Sequence, residues 1–249
     1  MTNRYLKCLC FTILIFFWMT VFSSLIVYLD LVNENIIRTA CIRISGCIFI
    51  LFLIYFQKKQ VYNACLFLLS LKKRYFLFLG KYFVFICLSF ALITVLAWFS
   101  GIIHLKENAV WNYQLLWFCL LNASAIAIYE EVAFRGLVAV YFRRYLSEKQ
   151  TILFSSIVFM IAHWAYFAIL PLITVFLIGV LFALLTFRCK SLYPAIGIHA
   201  GWDFSYFIFD DYFQPVVALP VWGETFEFYQ IGLYLILILL VCKTKIIKK

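Results

Sequence analysis

Ionisable residues interrupt the most apolar half of the chain at Glu130, Glu131 and Arg135, at His163, and at His199 and Asp203. A charged group in a lipid-facing helix costs several kcal/mol, so such residues turn to a bundle interior or a wet cavity and mark function. The chain has 3 histidines, and two of them are in this set. Carboxylates and imidazoles are the groups that activate a water as a general base, and imidazole also donates to a developing oxyanion. Glu130, His163, His199 and Asp203 are equally competent zinc ligands by type, although HExxH spacing is absent and the four come from three separate segments. Spacing then sorts the group. Glu131 and Arg135 stand at i and i+4, on one helix face, where they form an ion pair shielded from lipid. Glu130 is roughly 100° round the helix and clear of that pair. Phe159 and His163, and His199 and Asp203, repeat the i, i+4 interval. The same network also serves as a fixer of helix register, which is the plainer alternative.

The elements that position these residues follow from composition. The 249 residues are 67% hydrophobic and 13% charged, with a mean hydropathy of +1.03, so most of the chain must be solvated by lipid. The period-2 alternation of a membrane barrel is missing. The fold class is therefore all-α, a polytopic transmembrane helical bundle forming one integral membrane domain over 1–249. At about 20 residues per crossing the sequence predicts about eight spans. They fall at 5–29, 36–56, 81–103, 113–141, 151–167, 172–187, 192–209 and 228–242, with the motif-bearing core at 113–209. The first reads as a retained anchor, and the apolar segment 61–71 as an interfacial stretch or an extension of the second span. Pro171 and Pro194 sit at helix starts, where a missing N–H costs little. Pro215 and Pro220, with Trp222 and Gly223, predict an external loop of re-entrant or lid-like shape.

Charge gives the orientation. Most of the 21 Lys and Arg residues collect on one side if both termini are cytoplasmic, while Asp30, Glu34, Glu107, Asp210, Asp211, Glu224 and Glu227 collect on the other. Topology thus accounts for the net charge of +10, and no nucleic-acid partner is expected. The 9 cysteines show no CxxC or zinc-finger spacing and read as packing residues. His104 reads as interfacial, and Arg38 and Arg43 as snorkelling or paired side chains. Counted from the cytoplasmic helix ends, Glu130, His163 and Asp203 all lie roughly 18 Å deep, with His199 one turn shallower. The polar groups of three helices are thus at a depth where they can meet.

Three of these segments resemble known motifs. Glu130-Glu131-Val132-Ala133-Phe134-Arg135 is similar to the EExxxR motif of the CAAX-protease and bacteriocin-processing family, Phe159 to His163 to its FxxxH motif, and His199 to Asp203 to its HxxxN/D motif. The lead-in from Ser191 to Ile198 resembles that family too. The resemblance implies an eight-helix membrane fold in a bacterial cell membrane and a glutamate-dependent intramembrane endopeptidase acting on a peptide or membrane-associated protein. A non-proteolytic bacteriocin self-immunity or membrane regulatory protein of the same family is the alternative. Carried over, Glu130 is the general base, His163 orients the water, and His199 with Asp203 faces the oxyanion. Glu131, Arg135 and Phe159 are supporting residues, and no cofactor is implied. Asp203 stands where the family often has Asn, and an ionised Asp donates no hydrogen bond. It therefore carries a proton or orients His199.

Overall fold

A computed structural model describes residues 59–70, 73–104, 113–163, 168–213, 216–217 and 220–243, with isolated positions 10, 46, 48 and 55. The expected spans at 5–29 and 36–56, with Arg38 and Arg43, lie outside the described residues, as do the ends of both termini. Helices α1 (Lys59–Leu68) and α2 (Lys73–Phe99) come first. Helix α3 runs Tyr113–Phe142 and contains a π-helical segment, Val132–Val138. Helices α4 (Glu148–Ala162), α5 (Ile169–Cys189), α6 (Tyr193–Ile208) and α7 (Pro220–Lys243) complete the bundle. A π turn, Phe209–Phe213, closes α6. The strands β1 (Ile103–His104) and β2 (Val216–Val217) pair antiparallel, so the chain beyond α2 is tied to the segment before α7.

Among the described residues four helices are long and apolar enough to cross a membrane: α2, α3, α5 and Phe226–Lys243 of α7. The expected spans at 151–167 and 192–209 appear as α4 and α6, of 15 and 16 residues. Each is about 23 Å long, short of a full bilayer core. Two boundaries differ from the sequence reading. Helix α2 begins eight residues earlier than 81, and Tyr75 in its first turns is buried while Lys73 and Lys81 are exposed. Long basic side chains tolerate that placement by keeping the ammonium in water. Within the segment at 61–71 the described residues form helix α1, which docks on the others through Leu192 N–H donating to Leu68 O. Helix α7 starts at Pro220, so Pro220 opens a helix where a loop was expected, with its fixed φ suited to the first turn.

Local chemistry explains the ends. Ser147 caps α4 in a capping box with Gln150, satisfying two backbone N–H groups that would otherwise be orphaned. Pro194 occupies the first turn of α6. Pro171 falls in the first turn of α5, where a missing donor is harmless. Lys190 ends α5 in the left-handed region at φ 51°, and the sharp reversal lets α6 return directly along the bundle.

Helices α2 and α6 lie unusually close. A Cβ at Gly197 would sit 2.5 Å from Leu79 O, and one at Gly201 would sit 2.7 Å from Phe83 O. The four-residue spacing of these glycines makes a groove for the α2 backbone, the packing that membrane helices use when no hydrophobic drive holds them together. The groove holds the helix that carries His199 and Asp203. Gly201→Ala is expected to destabilise the protein by about 1–3 kcal/mol, read as an earlier thermal unfolding transition in detergent. Gly232→Ala is the control, because a Cβ there meets nothing within 4 Å, and its transition should stay within experimental scatter of the parent.

Candidate active site

The site is built on α3, α4 and α6, with α5 behind it. Residues 131–140 of α3 are buried without a break, which an amphipathic α-helix does not allow. The π segment inside this stretch widens the helix where it meets α1, α4 and α5. π-Bulges of this kind concentrate at functional sites. Its Gly136 carbonyl is satisfied from outside the helix, by the Cys65 thiol of α1 at 2.8 Å. The cysteine is buried, and all six cysteines among the described residues are free thiols.

Immediately before that segment stand the two glutamates. Glu131 and Arg135 are both 0% exposed, with Arg135 Nη1 donating to Glu131 Oε1 at 2.9 Å. Arg135 Nη2 donates to Gly179 O on α5 at 3.1 Å. The guanidinium is held between aromatic rings, 4.2 Å from the Phe159 centroid and 5.1 Å from that of Phe182, contacts that are strong when desolvated. Phe159 therefore links its motif to Arg135 as well as to His163, whose ring lies 4.5 Å away.

Glu131 has a second role. His199 Nδ1 lies 3.0 Å from Glu131 Oε1, so one buried carboxylate oxygen joins Arg135 to His199. A carboxylate that pairs with Arg accepts from the ring, and Nδ1 is then the donor. The opposite nitrogen, Nε2, faces Glu130 Oε2 at 3.7 Å and Asp203 Oδ2 at 3.5 Å. The partner that orients His199 through Nδ1 is thus Glu131, and Asp203 sits on the other side of the ring. Phe182 stacks on the same imidazole at 4.9 Å and 20°.

His163 completes the arrangement. As the residue that terminates α4, its ring folds back so that Nδ1 lies 2.8 Å from Phe159 O. A carbonyl only accepts, so Nδ1 carries the proton and Nε2 is turned to Glu130 Oε2 at 3.7 Å. Glu130 Oε2 is buried with no hydrogen-bond partner of its own among the described residues. Two imidazole nitrogens at 3.7 Å from one unpartnered carboxylate oxygen leave a position where a water can touch all three.

Exposure divides the groups. Glu130, His163 and Asp203 side chains are 19%, 22% and 21% exposed, whereas Glu131 and Arg135 are sealed. The first three border open space and the last two lie behind them. A cavity of about 320 Å³ is bounded by His163, His199 and Asp203 on one side and by Thr174, Glu227 and Tyr234 on the other, with Glu130 behind the two histidines and outside its lining. The residues gathered from sequence, Glu130, Glu131, Arg135, Phe159, His163, His199 and Asp203, thus all lie in one contiguous cluster. Phe182, Gly179, Glu227 and Tyr234 join it without having been singled out. Among the described residues no group of three or more His, Cys, Asp or Glu is arranged to hold a metal ion.

The family model described as Type II CAAX prenyl endopeptidase Rce1-like matches residues 111–205, the stretch from just before α3 to the last turn of α6. Comparison with curated proteins and with solved structures found no match.

Proposed function

We propose, since residues 111–205 match the family model described as Type II CAAX prenyl endopeptidase Rce1-like, that the chain is an intramembrane endopeptidase in which Glu130 activates a water to cut a peptide bond. The observation that carries this reading is the unpartnered Glu130 Oε2 with His163 Nε2 and His199 Nε2 both at 3.7 Å.

In this reading a water sits between Glu130 and His163. His163 Nε2, with Nδ1–H committed to Phe159 O, accepts one water hydrogen, and Glu130 takes the other as a base. The water oxygen bonds to the scissile carbonyl carbon, whose oxygen becomes the oxyanion. His199 Nε2 faces that oxyanion, and in its doubly protonated form the ring donates to it. Asp203 balances the imidazolium charge, so it has no need to donate a hydrogen bond itself. Collapse of the intermediate breaks the C–N bond, and the proton held by Glu130 passes to the leaving amine. Glu131 and Arg135 hold His199 at the required angle, an outer layer of support of the kind that preorganises catalytic groups.

The reading extends to the surroundings. The bilayer is the solvent, in a bacterial cell membrane, with about eight crossings and both termini cytoplasmic. The substrate is a peptide or a segment of a membrane-associated protein, with no nucleic-acid partner. In this reading Glu130 activates the water and no metal takes part.

The test is the full chain reconstituted in nanodiscs with a mixed set of fluorogenic peptides, with and without 1,10-phenanthroline. Cleavage that withstands the chelator is expected. Cleavage lost to the chelator and restored by zinc would move water activation from Glu130 to a metal, and a complete lack of cleavage would sink the peptidase reading.

A further inference from the structure

The cavity beside the catalytic groups has a second polar wall that hydrolysis does not use. Glu227, Gln230 and Tyr234 line it from α7 and Thr174 from α5. Glu227 stands in the first turn of the apolar stretch Phe226–Lys243, and its carboxylate accepts a hydrogen bond from the Thr174 hydroxyl at 2.8 Å. Among the described residues no Lys or Arg pairs with it. Tyr234 is 0% exposed, lines the same cavity, and its hydroxyl has no hydrogen-bond partner among the described residues. A buried hydroxyl without a partner is costly, and natural structures keep such a group where something else completes it.

Charge indicates what completes this wall. Asp203 and Glu227 both border the cavity, and none of the described residues lining it is Lys or Arg. The nearby guanidinium, Arg135, is sealed behind Phe159 and Phe182 and held by Glu131. Asp203 is balanced by the His199 imidazolium 3.5 Å away, so the carboxylate left to give the space its negative charge is Glu227, in surroundings of low dielectric where a single charge is strongly felt. Its remaining walls include Pro171, Val175 and Ile178, which suit the methylene stem of a long cationic side chain.

From this we infer that the cavity is a substrate subsite for an organic cation, and that the preferred substrates are peptides with an ammonium or guanidinium group close to the scissile bond. The cation pairs with Glu227 on the far wall, the stem lies along Val175 and Ile178, and the Tyr234 hydroxyl meets the substrate backbone. The inference rests on the peptidase reading for its substrate, and on the cavity alone for its charge preference.

The experiment uses the full chain in nanodiscs and fluorogenic peptides identical except at one position, which carries Lys, Arg, norleucine, Gln or Glu and is walked through the sites flanking the cut. A parallel set with free and acetylated amino termini separates a side-chain cation from a terminal one. At one flanking site Lys and Arg peptides are expected to exceed the norleucine and Glu peptides in kcat/KM by about tenfold or more, the effect of one close charge pair. Glu227→Gln should compress that ratio toward one, and Glu227→Lys should turn it in favour of the Glu peptide. A wild-type ratio below about threefold at every position and terminus, too small for such a pair, overturns the inference while leaving the peptidase intact. If nothing is cut, fluorescence anisotropy of the same peptides decides the matter separately. Tighter binding of the Lys peptide, lost in Glu227→Gln, keeps the subsite and discards the peptidase, and equal or no binding discards the subsite.

Discussion

Glu130→Gln is expected to lower kcat for peptide cleavage by about a thousandfold or more while leaving the fold in place. The amide keeps the shape of the side chain but takes no proton from water, so the base is lost and the site's outline is not. The neighbouring geometry makes the two effects separable. Glu130 Oε2 has no hydrogen-bond partner among the described residues, and both imidazoles stand off at 3.7 Å, so the scaffold draws little support from this oxygen. Thermal unfolding of the variant in detergent should therefore match the parent within about 1 kcal/mol. A comparison of peptides in membranes carrying the parent and the variant, by mass spectrometry, should at the same time reveal the natural substrate as the species that accumulates uncut. If the variant cleaves at the parental rate, Glu130 is not the base. If it unfolds instead, Glu130 belongs to the scaffold with Glu131, and the water position between it and the histidines loses its meaning.

The distinction between the two glutamates was partly legible in the sequence. The i, i+4 spacing of Glu131 and Arg135 predicts their pairing, the 100° step sets Glu130 apart, and equal depth brings His163 and Asp203 to it. The π segment that follows Glu131 left no periodic signal, because 132–140 is apolar on every side apart from Arg135 and its helix type is decided by the neighbours it packs against. Phe182 and Gly179 were hidden for a related reason. They lie in α5, which is apolar along almost its whole length, and nothing in a uniformly apolar run distinguishes the phenylalanine that stacks on His199 from those that face lipid. Glu227 reads from the sequence only as one of the acidic residues collected on the external side, and charge segregation carries no sign that its carboxylate lines a cavity. Likewise the i, i+4 step from His199 to Asp203 suggests that Asp203 orients the ring, whereas the closer partner, Glu131, comes from a helix 68 residues earlier, a distance that spacing within one motif does not reveal.

Removing Arg135 should cost the most stability of any single change at the site, about 3–5 kcal/mol for Arg135→Ala. The guanidinium is fully buried, balances Glu131, tethers the Gly179 carbonyl and fills the space between Phe159 and Phe182. Without it Glu131 is a carboxylate sealed from water whose one remaining partner is His199. Arg135→Lys should recover only part of the loss, since an ammonium does not reach Glu131 and Gly179 at once and lacks the flat face that lies against the rings. The double variant Glu131→Met with Arg135→Met is the decisive comparison. It removes both charges together, so it should unfold later than Arg135→Ala by about 1–3 kcal/mol. Activity should not follow stability, because His199 then has nothing on Nδ1 to fix its angle, and peptide cleavage should stay at least about a hundredfold below the parent. Recovery of cleavage along with stability would reduce the Glu131 and Arg135 pair to a packing element. Stability without cleavage would make the pair the support that aims His199 at the substrate, a positioning role exerted from behind the cavity wall.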